Sequence, residues 1–366
     1  MHYKLLLSIL FLLTNFLLEA QYHDSIRLND IRILASHNSY KKKPNPKLIK
    51  FLQKYKKKLG EENNPERIDY GHLSFDEQLN NYSIRGFELD VYYDPKGKLY
   101  QKRKIYKFVK GLKPNAKVPS LNEPGFKMLH IADIDFETHY YTFIEGLKVI
   151  KKWSDEHPKH TPLFINIEPK DRNPGDYSKF LNFLGFKKAL HFDSLAWNAF
   201  EDEILSVIPR EKIVSPNDLQ STYSSIKDRL KNEGWPSLNE CLGKVFFIID
   251  GNFDHFYQKV VPNGVMFNYD HTPNESSAFL KRNNPFENPE EIQQQTELYI
   301  VRTRSDVETI EARKNDYSMY EAALKSQAQI ISTDFYAKDP AFGDFQIVLN
   351  ISTSKNLKWD FILRNL

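Results

Sequence analysis

The stretch Gly86-Phe87-Glu88-Leu89-Asp90-Val91 reads as an apolar strand that carries two carboxylates two residues apart. Successive side chains of an extended strand point to opposite faces, so Glu88 and Asp90 share one face while Leu89 and Val91 share the other. Two anions side by side repel each other and resist burial. A hard divalent cation would make the arrangement tolerable. A backbone amide beside one carboxylate and a lysine beside the other would do the same, and the pair alone leaves both readings open.

Working outward, further short apolar runs fall at 31–35, 126–130, 162–167, 244–250, 264–268, 297–303 and 328–333. A weaker run at 212–214 reads as a connection. Amphipathic helices are expected between them, for example at 47–59, 141–156, 177–184 and 317–325. Eight strands alternating with helices predict a parallel sheet closed into a (β/α)8 TIM barrel of the α/β class. An open doubly wound sheet is the competing fold, but no Gly-x-Gly-x-x-Gly follows any of these strands. There is no internal repeat, low-complexity tract or long polar linker, so residues 21–366 are expected to form a single catalytic barrel domain.

Residues 1–20, MHYKLLLSILFLLTNFLLEA, have a short basic start, an apolar middle and Leu-Glu-Ala at the end. This is the pattern of a secretory signal peptide cut after Ala20, implying a secreted or periplasmic protein. The apolar run is too short for a membrane span. Cys241 is the only cysteine, which excludes an internal disulfide and a thiolate metal cluster, and its place in a helical segment suggests a small buried side chain. The net charge of +3 is small for 366 residues, so bulk electrostatics do not call for nucleic acid. The lysines are nevertheless clustered at 41–43, 54–58 and 102–117.

In a barrel of this kind chemistry sits at the C-terminal ends of several strands. The first strand ends in Ser36-His37-Asn38-Ser39-Tyr40, the second in Glu88 and Asp90, the third in Met128-Leu129-His130, and the fourth in Asn166-Ile167-Glu168-Pro169-Lys170-Asp171. These groups suit phosphodiester cleavage. Ca2+ prefers oxygen ligands, and Asn38, Glu88, Asp90 and Glu168 offer an amide oxygen and carboxylates. His37 and His130, with an ordinary pKa near ~6.5, suit a base and an acid at neutral pH. Zinc ranks lower, because neither histidine has the spacing of a helical zinc motif.

The run 36–40, Gln78-Leu79 leading into 85–91, His130, 167–171, Trp235-Pro236-Ser237-Leu238, 243–247, Arg302-Thr303-Arg304 with Asp306, and 328–335 follow one another in an order that resembles the calcium-dependent bacterial phosphatidylinositol-specific phospholipase C family. The resemblance spans nearly the whole mature chain. It implies a barrel of the phospholipase C-like phosphodiesterase type that cleaves phosphatidylinositol to diacylglycerol and a (cyclic) inositol phosphate. By the same resemblance, His37 is the base on an inositol hydroxyl and His130 the acid at the diacylglycerol oxygen. Asn38, Glu88, Asp90 and Glu168 correspond to the calcium ligands, and Lys170, Arg302 and Asp334 to candidate substrate contacts. The chain departs from the family in lacking cysteines that its members often carry and in a basic, aromatic insert at 94–125.

That insert, with the lysine-rich loop after the first strand, would border the mouth of the site and suits peripheral contact with an anionic membrane surface. Ordinary solvated loops account for the same lysines. Two other functions stay open: a glycerophosphodiester phosphodiesterase or phospholipase D of the same barrel class, and a non-catalytic barrel that binds lipid or calcium. The spacing from Asp90 to His130 and the His37-Asn38-Ser39 start speak against the former, the paired histidines against the latter.

Overall fold

The computed structural model describes residues 25–59, 63–177, 179–251, 254–349 and 361–364. Ten strands are found among them: β1 Ile31–Ser36, β2 Ile84–Asp94, β3 Gly125–Met128, β4 Leu163–Pro169, β5 Val245–Ile249, β6 Met266–Asp270, β7 Phe279–Lys281, β8 Ile300–Arg304, β9 Ile330–Thr333 and β10 Ile362–Leu363. Parallel pairing runs β1–β2–β4–β5–β6–β7–β8–β9 and returns from β9 to β1, which closes the (β/α)8 barrel.

Three strands differ from the expected set. The run expected as the third barrel strand is β3, which lies antiparallel against the far end of β2, from Val91↔Met128 to Asp94↔Gly125. It is a hairpin return above the rim, and the barrel passes directly from β2 to β4. The place in the barrel is taken instead by β7, a three-residue strand between β6 and β8. β10 adds antiparallel to β1 on the outside.

Strand alternation divides the core. Leu89, Val91, Ile165, Ile167, Phe247 and Ile249 belong to the cluster beneath the helices. The helix Phe143–Glu156 buries Phe143, Leu147, Ile150 and Trp153 there, at helical spacing. Its start is fixed by reciprocal bonds of Thr142 and Glu145, at 3.0 and 3.2 Å. The alternate residues Phe164, Phe246, Phe267 and Phe279 join Ile33, Ile300 and Ile330 in a second cluster. Their rings meet edge-on or stacked, with Phe164–Phe246 at 5.2 Å and Phe267–Phe279 at 5.0 Å, forming a dry floor inside the barrel. Two residues beyond Phe164, Phe279, Ile300 and Ile330 stand Asn166, Lys281, Arg302 and Ser332, and Glu88 stands two beyond Gly86. The barrel therefore changes from apolar to polar toward its C-terminal mouth. Gly86, the inward residue before Glu88, is where β1 comes closest: a Cβ there would lie 2.5 Å from that of Ala35.

Cys241 is buried at the end of the short helix Leu238–Cys241, and burial pushes its thiol up to about 12. The signal peptide expected at 1–20 lies outside the described residues. No helix among the described residues is long and apolar enough to cross a membrane.

Candidate active site

Strand register sets the first cluster. Ser36 of β1 pairs with Thr333 of β9, and the ladder continues as the His37 N–H donates to Thr333 O at 3.0 Å. His37 and Asp334, each one residue further on, are thereby side by side, and His37 Nδ1 lies 2.8 Å from Asp334 Oδ1. Arg304 at the end of β8 binds the other oxygen of Asp334 at 2.8 Å. Asp306 accepts the Asp334 backbone N–H at 2.8 Å and the hydroxyls of Ser305 and Thr333 at 2.7 and 2.5 Å. Burial favours a neutral Asp334, but His37 and Arg304 overcome it and hold the carboxyl below its ordinary value. The other ring nitrogen of His37, Nε2, lies 3.3 Å from Glu88 Oε1.

The second cluster comes from β2 and β4, where Glu88 pairs with Asn166 and Asp90 with Glu168. Glu88, Asp90 and Glu168 present carboxylate oxygens within 4.8 Å of one another. Asn38 leaves β1 in a left-handed turn, φ 50°, a conformation asparagine adopts more readily than most residues. Its amide donates to Tyr70 Oη at 2.9 Å. Lys170 places its ammonium 2.8 Å from Asp90 and 2.5 Å from Glu168, while the Arg302 guanidinium pairs with Glu88 and bonds Ser332 and Asn283 at 3.1 and 3.0 Å.

These ion pairs shape the electrostatics. Burial, helped by Glu168 and Glu88, pushes the Asp90 carboxyl well up despite Lys170. Burial acts the same way on Glu88, but Arg302, His37 and Arg304 hold it low, at about 2. Lys170 is raised well above its usual value because Asp90 and Glu168 outweigh the cost of burial.

This donor set fits a divalent cation. Asn38 Oδ1 and Asp90 Oδ1 are buried with no hydrogen-bond partner, a costly state for polar atoms unless something positive completes it. Three carboxylates against Lys170 and Arg302 leave one net negative charge, and a dication would make the mouth receptive to an anionic phosphodiester.

His130 arrives differently. It follows β3 and opens the turn 131–135, closed by Ile131 N–H to Asp135 O at 3.2 Å and Ile134 N–H to Ile131 O at 2.9 Å. The turn carries Asp135 back to His130, with Oδ2 2.8 Å from Nδ1. Burial lowers the His130 pKa and Asp135 partly restores it. Lys41, fully buried, anchors Asp135 at 3.1 Å and donates to Ile68 O and Tyr70 O at 2.8 and 2.6 Å.

Of the residues singled out from the sequence, Glu88, Asp90, Glu168 and Lys170 meet in one cluster with His37 at its edge, and Asn38 follows His37 on the turn that leaves β1. Arg302 is turned onto Glu88, and Asp334 sits behind His37. His130 stands on a loop above the rim, where the sequence had placed it at a barrel strand's end. Asp135, five residues after His130, was missed, although its Asp-x-Asp setting with Asp133 was a visible signal. Also missed were Asp250, at the end of an expected strand, and Lys281, on the unforeseen β7. These two pair across the mouth, and Asn166 donates to Asp250 at 3.3 Å.

A family model described as phosphoinositide phospholipase C, Ca2+-dependent, matches residues 26–357. Among solved structures, the chain is similar to a calcium-dependent phosphoinositol-specific phospholipase C from the Gram-negative bacterium Pseudomonas sp, at 13% identity and a TM-score of 0.53, covering 86% of this chain and 92% of that one. It is also similar to a Ca2+-dependent phosphatidylinositol-specific phospholipase C from Streptomyces antibioticus, at 12% identity and a TM-score of 0.50, covering 85% and 96%. At these identities the likeness is one of fold. No curated protein matches the chain.

Proposed function

Because the chain belongs to the Ca2+-dependent phosphoinositide phospholipase C family, we propose that it cleaves phosphatidylinositol to diacylglycerol and a cyclic inositol phosphate by paired histidine catalysis. The observation that carries this reading is the pair of imidazole–aspartate couples, His37 with Asp334 and His130 with Asp135, beside the Glu88–Asp90–Glu168 cluster. Each aspartate fixes a ring by its Nδ1–H and leaves Nε2 for proton transfer.

His37 Nε2 takes the proton of an inositol hydroxyl, whose oxygen bonds to phosphorus, and Glu88 lies close enough to Nε2 to stabilise the imidazolium that forms. The bond from phosphorus to the diacylglycerol oxygen breaks, and His130 gives that oxygen its proton. Asn38, Glu88, Asp90 and Glu168 would hold the Ca2+ ion, which when bound offsets charge on the phosphate oxygens. Lys170 is suited to the phosphate itself once the ion relieves it of Asp90. Arg302 and Asp334 act through Glu88 and His37 rather than on the lipid. Asn166 on β4, next to Glu88, with Asp250 after β5 and Lys281 on β7, suits the remaining hydroxyls of a polyol headgroup.

Residues 1–20 support export, which a comparison of the N-terminus of the exported protein with that of the intact chain would check. Peripheral contact with an anionic membrane is supported by exposed aromatics next to lysines. Phe183 is 85% exposed and Phe108 42%, and the Phe108 ring faces Phe186 at 6.5 Å, with Lys107 and Lys110 exposed alongside. Vesicle binding insensitive to salt and to anionic lipid would remove this contact.

The decisive assay compares phosphatidylinositol with glycerophosphocholine, with and without chelator. Cleavage of the inositol lipid alone, abolished by chelation and reduced about 10²–10⁴-fold in His37→Ala and His130→Ala, is expected. Full activity in either variant would overturn the assignment, and preference for glycerophosphocholine would revive the glycerophosphodiesterase reading.

A further inference from the structure

Lys41 stands behind His130, and its side chain is fully buried, so it cannot meet a lipid itself. It lies where the chain leaving β1, the segment 68–72 and the turn 131–135 converge. Its backbone is held on both sides. Its carbonyl accepts the His72 N–H at 2.8 Å, and it bridges antiparallel to Thr138, three residues beyond Asp135.

A buried lysine is costly unless its charge is met. The ammonium has three N–H groups and finds three acceptors: Asp135 Oδ2 at 3.1 Å, Ile68 O at 2.8 Å and Tyr70 O at 2.6 Å. The Tyr70 ring lies 4.4 Å from the nitrogen. A neutral amine would turn its lone pair onto one of these oxygens, so the surroundings are those of the charged form. Asp135 is equally committed. The same Oδ2 takes His130 Nδ1 at 2.8 Å, while Oδ1 is buried with no hydrogen-bond partner.

This arrangement matters when His130 has given up its proton. The imidazolium is then gone as a counter-charge, and a buried carboxylate left alone would take the Nδ1 proton and neutralise itself. The working nitrogen of His130 would change with it. A permanent ammonium on Asp135 Oδ2 prevents that exchange.

We propose that Lys41 is a positioning residue for the leaving-group step, keeping Asp135 ionised so that neutral His130 holds its proton on Nδ1 and works through Nε2. The inference rests on the acid role given to His130 above. Lys41 keeps its own protons throughout. The proton transferred is that on His130 Nε2, which passes to the diacylglycerol oxygen as its bond to phosphorus breaks.

The test compares, in Ca2+, kcat/KM for phosphatidylinositol with that for 4-nitrophenyl inositol phosphate, whose aryl oxide departs without a proton. The ratio of the two isolates the acid from folding, metal binding and attack. Lys41→Gln, which keeps N–H donors but not the charge, and Lys41→Met should each lower it about tenfold, and His130→Ala about 10²-fold or more. Folded Lys41 variants whose ratio stays within twofold of the wild type overturn the positioning role and leave His130 as the acid. An unchanged ratio in His130→Ala, or a wild type that cleaves neither ester, overturns the reaction proposed above instead. Should neither Lys41 variant fold, nitrogen NMR of the wild-type imidazoles decides, with the His130 signals identified by their loss in His130→Gln. Neutral His130 protonated on Nδ1 supports the role of Lys41, and neutral His130 protonated on Nε2 overturns it.

Discussion

His72 shows how the mouth of the barrel is kept in order by groups that do no chemistry. Its Nε2–H donates to the carbonyl oxygen of His37 at 2.6 Å, while its Nδ1 is buried without a partner. Protonating Nδ1 would bury a charge beside Lys41 and His37, with Asp334 as partial relief, and burial accordingly pushes the imidazole down to about 4. Between pH 6.5 and that value the unfolded chain binds a proton that the folded chain refuses. Stability should therefore be fully present above pH 6.5 and fall on acidification, by about 1.4 kcal/mol per pH unit from this group alone. Denaturant titrations at pH 7, 6 and 5 should show a shallower fall in His72→Gln than in the wild type; equal slopes would mean that His72 is not the responsible group.

At the scale of the element, β7 is the weak link of the barrel in length and a strong one in packing. It contributes three residues, yet the Phe279 ring touches those of Trp235, Phe246, Phe267, Phe164 and Tyr269 within 6.2 Å. Phe279→Ala should cost about 3–5 kcal/mol, read as a lowered denaturant midpoint, with Lys281 losing its station opposite Asp250. The same strand marks the limit of what sequence pattern reveals. The longer apolar runs were legible because alternation separates Glu88 and Asp90 from Leu89 and Val91 over a full strand. Three residues after the polar stretch 270–277 have no period to read. Direction is equally invisible locally: the run at 126–130 is strand-like, but whether it joins the barrel or folds back along β2 depends on pairing partners distant in sequence. The site was legible where ligands ride on strand ends. It was not where a loop turn, such as that from His130 to Asp135, or an ion pair across the barrel, such as Arg302 with Glu88, decides what a side chain can reach.

Taken whole, the molecule carries an apolar floor and a charged mouth whose anions outnumber the cations that face them. A bound divalent ion should therefore stabilise the fold, by about 2.7 kcal/mol at a Ca2+ concentration one hundred times its Kd. Thermal melting with Ca2+ against melting with chelator checks this. Asp90→Asn should remove the dependence while leaving the metal-free protein at least as stable as the wild type, since the substitution relieves the crowding with Glu88 and Glu168. A variant that still gains stability from Ca2+ would place the ion elsewhere.

The two imidazole–aspartate couples also differ in when they can exist. His130 and Asp135 are five residues apart and meet inside one turn, whereas His37 and Asp334 lie 297 apart and meet only when β9 docks on β1. Contacts of such separation form late, after the loop-closure entropy of the intervening chain has been met. A nascent or truncated chain can thus form the His130–Asp135 couple but not the His37–Asp334 couple. Both couples of the proposed mechanism are therefore complete only once the last strand of the barrel is in place.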